Sequence, residues 1–119
     1  MHKILVYVSF GWLTLSGTMH FIIDVLSQYL RGKRVPSPET TLYFGLNTAY
    51  ALGQVLFGVL ALLVARKALP LLGQWPAVAL SLSAAMGWLV FGFLFLEYWE
   101  PRVAAGIFAL LVIAAAAMA

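Results

Sequence analysis

The segment Ile4–Leu30 reads ILVYVSFGWLTLSGTMHFIIDVLSQYL and carries one acidic side chain, Asp24, and one imidazole, His20, before it meets Arg31-Gly32-Lys33-Arg34. A helix needs about 20 apolar residues to cross a bilayer, and this run exceeds that length. It is too long for the apolar part of a signal peptide, and no small-x-small cleavage site follows it, so it reads as a retained span. Three cations and a glycine then end it, because they do not continue into hydrocarbon.

Working outward from that stop, Val35-Pro36-Ser37-Pro38-Glu39 resets the chain. The prolines bias their predecessors toward extended backbone, Ser37 suits a helix N-cap, Pro38 suits the first turn, and Glu39 complements the positive helix end. A second span is expected over about residues 40–65, closed by Arg66-Lys67 at the negative end of the dipole. The connection from Ala68 to Trp75 is mostly apolar despite Pro70 and Gly73, which places it in the membrane interface with Trp75 as an anchor. Pro76 opens a third span over about 77–99, and Glu97-Tyr98-Trp99-Glu100-Pro101-Arg102 separates it from a fourth, Ala-rich span over about 101–117. Short connections make neighbours antiparallel. The expectation is an all-α integral membrane protein, an antiparallel up-down-up-down four-transmembrane-helix bundle forming one transmembrane domain over residues 1–119, multi-pass in the cell membrane.

Composition agrees. The 119 residues are 64% hydrophobic and 9% charged, against roughly 45–50% and about 25% in soluble domains. A core of this size could not hide so much apolar surface. The absence of cysteine excludes thiol catalysis, disulfides, thiolate metal sites and haem attached through a CxxCH motif. The net charge of +3 is small and scattered, which fits contact with a lipid bilayer and gives no basic surface for nucleic acid. Lys3, Arg66 and Lys67 fall on one side of the membrane and Arg31, Lys33, Arg34 and Arg102 on the other, so the Lys/Arg bias sets no orientation.

The polar residues within the spans gather toward one face. On the first helix Gly17, His20 and Asp24 share a side, flanked by Thr14 and Gln28, and His20 and Asp24 are i, i+4 neighbours able to touch. On the second, Tyr43, Asn47, Tyr50 and Gln54 follow steps of four, three and four, a narrow polar seam on an oily helix. Glu97 tops the third, either as part of the same site or as an interfacial charge paired with Arg102. An ionised Asp in hydrocarbon costs roughly 2.5–3.5 kcal/mol, so Asp24 should be paired, protonated or in contact with water. His20 is the obvious partner, and such a couple is suited to proton exchange.

The candidate ligand-binding set is therefore His20, Asp24, Asn47, Tyr50, Gln54 and Glu97, lining a funnel from one face to mid-membrane, with His20 and Asp24 as the proton-exchanging pair. No catalytic residue, metal ligand set or cofactor is assigned. Ligation by His20, Asp24 and Glu97 lacks a Glu-x-x-His motif or a second buried imidazole. The leading expectation is a pocket for a small amphipathic or cationic solute, with proton-coupled transport and a homo-oligomer to complete a pathway. Two alternatives are an accessory or assembly subunit whose seam meets partner helices, and an intramembrane enzyme acting on a lipid or quinone-like molecule. Size, span count and the Gly17-Thr18 step are superficially similar to the small multidrug resistance transporters. That family depends on a membrane-embedded Glu about one turn before its Gly-Thr, and Thr14 stands there instead.

Overall fold

The computed structural model describes residues 1–119 and contains four long helices: α1 (His2–Arg31), α2 (Pro38–Ala68), α3 (Trp75–Phe95) and α4 (Glu100–Ala117). All four are long and apolar enough to cross a membrane. Local sequence sets their ends. Gly32, at φ 60°, closes α1 with amide bonds from Lys33 to the Gln28 carbonyl and from Gly32 to the Tyr29 carbonyl, a turn that the missing Cβ permits. The Ser37 hydroxyl accepts from the Thr40 amide at 3.1 Å and Pro38 begins α2, as the sequence suggests. A short 3-10 turn, Leu69–Gly73, leads into α3.

Two features depart from the expected spans. The third helix stops at Phe95, short of Trp99, because residues 96–99 are not helical and the Arg102 guanidinium donates to the carbonyls of Leu96 (3.0 Å) and Gly92 (3.4 Å). Arg102 thus caps α3 and does not pair with Glu97. In α1 the turn Ile22–Leu26 is a π-turn, with the Ser27 amide bonded to the Ile22 carbonyl. Asp24 sits within it.

The helices pack as a bundle in which α1 lies closely against α2 and α4, and α4 against α3. Aromatic pairs bring α2 and α3 together: Tyr50 stacks on Phe91 with ring centres 5.3 Å apart, and Phe57 meets Trp88 edge-on at 5.7 Å. Only 23 of the 119 residues are buried, and the outer surface is dominated by Leu, Ile, Val and Phe side chains. This inverts the soluble pattern and matches a protein whose solvent is lipid. The chain is a multi-pass membrane protein.

Because lipid is as apolar as a leucine side chain, helix association in a bilayer relies on close packing and interhelical hydrogen bonds. The structure supplies both. The apolar core comprises Val6, Phe10 and Leu13 of α1, Ala61 and Ala65 of α2, Ala85 of α3, and Phe108, Val112 and Ala115 of α4. It fills one half of the bundle, around the beginning of α1. Gly17 and Gly58 bring α1 and α2 so near that no Cβ fits without displacement. The Trp12 indole nitrogen donates to the Ala104 carbonyl at 3.0 Å, fastening α1 to α4. Beyond that bond the interior becomes polar.

Candidate functional site

Helical spacing brings His20 and Asp24 to the inner face of α1, where His20 Nδ1 lies 2.9 Å from Asp24 Oδ2. His20 Nε2 faces Asn47 Oδ1 of α2 at the same distance. The amide of Asn47 is oriented by its other end, because Nδ2 donates to the Tyr43 carbonyl at 2.9 Å. A carbonyl only accepts, so turning the amide over would set two oxygens against each other. Asn47 must therefore present its oxygen to His20, and His20 Nε2 must carry a proton.

That constraint fixes the proton count of the pair. With Nε2–H committed to Asn47, the short contact between Nδ1 and Asp24 Oδ2 needs one proton, held either by the imidazole or by the carboxyl. Both assignments leave the pair neutral overall. This suits a residue couple that is largely buried, His20 being 8% exposed. Losing the shared proton would leave one net negative charge in the interior.

Around this pair lies a cavity of about 360 Å³. Its polar lining comes from Ser16, His20 and Asp24 of α1 and from Tyr50 and Gln54 of α2, with Glu100 at the start of α4. Tyr50 is 5% exposed, its ring centre is 5.0 Å from that of His20, and its buried hydroxyl lies beside the Gln54 amide without a hydrogen bond of full geometry. The remaining wall is apolar and includes Trp12 and Trp99.

The funnel expected to open at the membrane face is closed there by a polar cap. Arg34 donates through Nε to Gln28 Oε1 (2.9 Å) and through a terminal nitrogen to the Tyr98 hydroxyl (3.2 Å), while its guanidinium lies 3.4 Å from the centre of the Tyr43 ring. Gln28 Nε2 donates to the Tyr43 hydroxyl at 3.1 Å, and that hydroxyl donates to the Asp24 backbone carbonyl at 3.1 Å. Partial burial works against the Arg34 charge, but the Tyr98 hydrogen bond and the Tyr43 phenol outweigh it and hold the guanidinium above its ordinary range.

The cavity opens sideways instead, between α1 and α4. Leu15, Met19 and Ile23 on one lip and Trp99 and Val103 on the other are exposed apolar side chains that also line it. A molecule dissolved in the bilayer would reach Asp24 without crossing the polar cap.

The structure thus brings His20, Asp24, Tyr50 and Gln54 to one cavity and sets Asn47 behind them as the group that fixes His20. Glu97 differs from the expectation: it is exposed, in the connection after α3, and lies outside the cavity lining. Termination of α3 at Phe95 carries it away, and Glu100 takes the corresponding place at the mouth. No three His, Asp or Glu side chains cluster closely enough to hold a metal ion. Trp12, Trp99 and Glu100 were not legible as site residues, because nothing in the residue spacing marks the cavity between α1 and α4. In comparisons with known proteins, the chain matches no family model, no curated protein and no solved structure.

Proposed function

We propose that this protein binds a small amphipathic solute that enters from the bilayer between α1 and α4, and that the His20–Asp24 pair exchanges its proton as the solute comes and goes. Proton-coupled transport is the activity this arrangement suits. The observation that carries the reading is the placement of the one-proton His20–Asp24 pair on the wall of a laterally open, mostly apolar cavity. An apolar wall with a few convergent polar groups is the usual form of a small-molecule site. An assembly subunit would instead close this seam with packed side chains, so the cavity favours solute binding over that alternative.

Two of the four tryptophans, Trp12 and Trp99, line the cavity and report on its contents. A brominated fatty alcohol should quench the protein's fluorescence in a saturable way in detergent. Ala104→Leu, which adds three carbons to the cavity wall, should weaken that binding about tenfold, the effect of roughly 1.4 kcal/mol. Undiminished saturable quenching in a folded Ala104→Leu variant would show that the solute sits elsewhere.

A further inference from the structure

The lining of the cavity has a charge balance opposite to that of the chain. It includes two of the four carboxylates, Asp24 and Glu100, and none of the seven Lys and Arg residues, although the protein as a whole carries +3. Aromatic faces accompany those carboxylates: Trp12, Tyr50 and Trp99 all line the same space. Carboxylates with aromatic walls and no competing cation are the surroundings that favour an organic cation.

We propose that the cleft takes a lipophilic monovalent cation and that each cation bound displaces the one proton shared by His20 and Asp24. This rests on the solute-binding reading above and names the class of solute. The balance follows from the proton count. The Glu100 carboxylate at the mouth is exposed and screened by water, and with the proton in place the inner pair is neutral, so a cation seated beside that pair would leave one positive charge poorly compensated in a low-dielectric site. If the Nδ1···Oδ2 proton leaves to water, His20 stays as the neutral Nε2–H tautomer on Asn47 and Asp24 becomes a carboxylate. Cation and carboxylate then sum to zero. No bond other than the N–H or O–H of the shared proton breaks, and no electron is transferred.

Asp24 has reason to turn toward the incoming charge, because without the shared proton its oxygen faces the bare lone pair of Nδ1. The exposed Glu100 at the mouth draws the cation in and the Tyr50 ring forms part of the wall it meets. The titratable or charged groups facing the pair are Tyr43 and Tyr50 from α2 and Glu100 from α4, with Arg34 and Tyr98 one contact further out above Tyr43. From α3 the neighbour is the uncharged Phe91, stacked on Tyr50. Arg34 is turned into its cap of Gln28, Tyr43 and Tyr98 and does not line the cavity.

The test uses the full chain in mild detergent and two probes of similar shape, tetraphenylphosphonium and the uncharged triphenylphosphine oxide. Calorimetric titration in buffers of different ionisation enthalpy counts the protons released. Tetraphenylphosphonium should bind with release of close to one proton, and its affinity should rise by up to about tenfold per pH unit while the pair is protonated. Glu100→Gln should weaken binding several-fold and leave the proton count unchanged. Asp24→Asn should abolish the release. Binding of the cation without proton release by the wild type would overturn the proposal, as would binding of the neutral oxide alone. If the oxide or the brominated alcohol binds in the cleft and the cation does not, the solute reading stands and the exchange fails. If none of the three binds, both fall.

Discussion

Gly58→Leu is expected to force α1 away from α2 and to cost about 3 kcal/mol or more of stability, the upper range for overfilling a packed interior. A Cβ at position 58 would lie 3.0 Å from the Phe10 carbonyl oxygen and 3.1 Å from the Thr14 amide nitrogen, and it would collide with the Thr14 hydroxyl. The first two are backbone atoms and have no rotamer to adopt. The hydroxyl is itself tied to the Phe10 carbonyl at 2.9 Å. Two turns along α1 from Phe10, Gly17 is equally confined, its missing Cβ lying 2.9 Å from Gln54 Cβ and 3.2 Å from the Ala51 oxygen. Since helices in lipid gain little from burying apolar surface against one another, this contact is a main source of their association. Gly87→Leu is the control, because no atom lies within 4 Å of a Cβ there. Reversible unfolding in mixed micelles should show a large loss for Gly58→Leu and almost none for Gly87→Leu. Equal stability of the two would mean that α1 and α2 do not approach as described.

Asp24→Asn should keep the fold and remove the pH dependence of cation binding. Asparagine can turn its NH2 to His20 Nδ1, which accepts in the Nε2–H tautomer, so every hydrogen bond of the imidazole survives. The shared proton is gone, and affinity should become flat with pH where the wild type changes by up to about tenfold per unit. Asp24→Leu separates charge from hydrogen bonding. It leaves Nδ1 without a partner and should cost roughly 1–3 kcal/mol, whereas the Asn variant should unfold close to wild type. His20→Gln should also flatten the pH profile, and the double variant should add nothing, since both changes act on one proton. Wild-type pH dependence in Asp24→Asn would place the exchanging group elsewhere.

Much of the architecture was legible because each boundary carries a local chemical cause. Ser37-Pro38 starts α2 and Gly32 amid cations stops α1, and both act through backbone geometry within a few residues. The His20–Asp24 contact followed from i, i+4 spacing alone, and the seam Tyr43, Asn47, Tyr50 and Gln54 followed from helical periodicity. The roles within that seam did not. Asn47 holds the imidazole, Tyr43 closes the cap and Tyr50 lines the cavity, a division set by the angle and distance between helices. The π-turn at Asp24 left no mark beyond a carboxylate in an apolar helix. Glu97 was misplaced because the last turn before it looked apolar enough to continue, while the Arg102 side chain, five residues on, takes the carbonyls that end α3.

The central claim is that His20 keeps Nε2 protonated toward Asn47 while Nδ1 shares a single proton with Asp24. Nitrogen-15 NMR of the imidazole, in protein labelled at histidine and assigned with His20→Gln, tests it most directly. The account predicts that Nε2 stays protonated across the titration, that Nδ1 alone changes, and that adding tetraphenylphosphonium moves Nδ1 toward its unprotonated shift at constant pH. An unprotonated Nε2 beside a protonated Nδ1 at any point in that titration would contradict it.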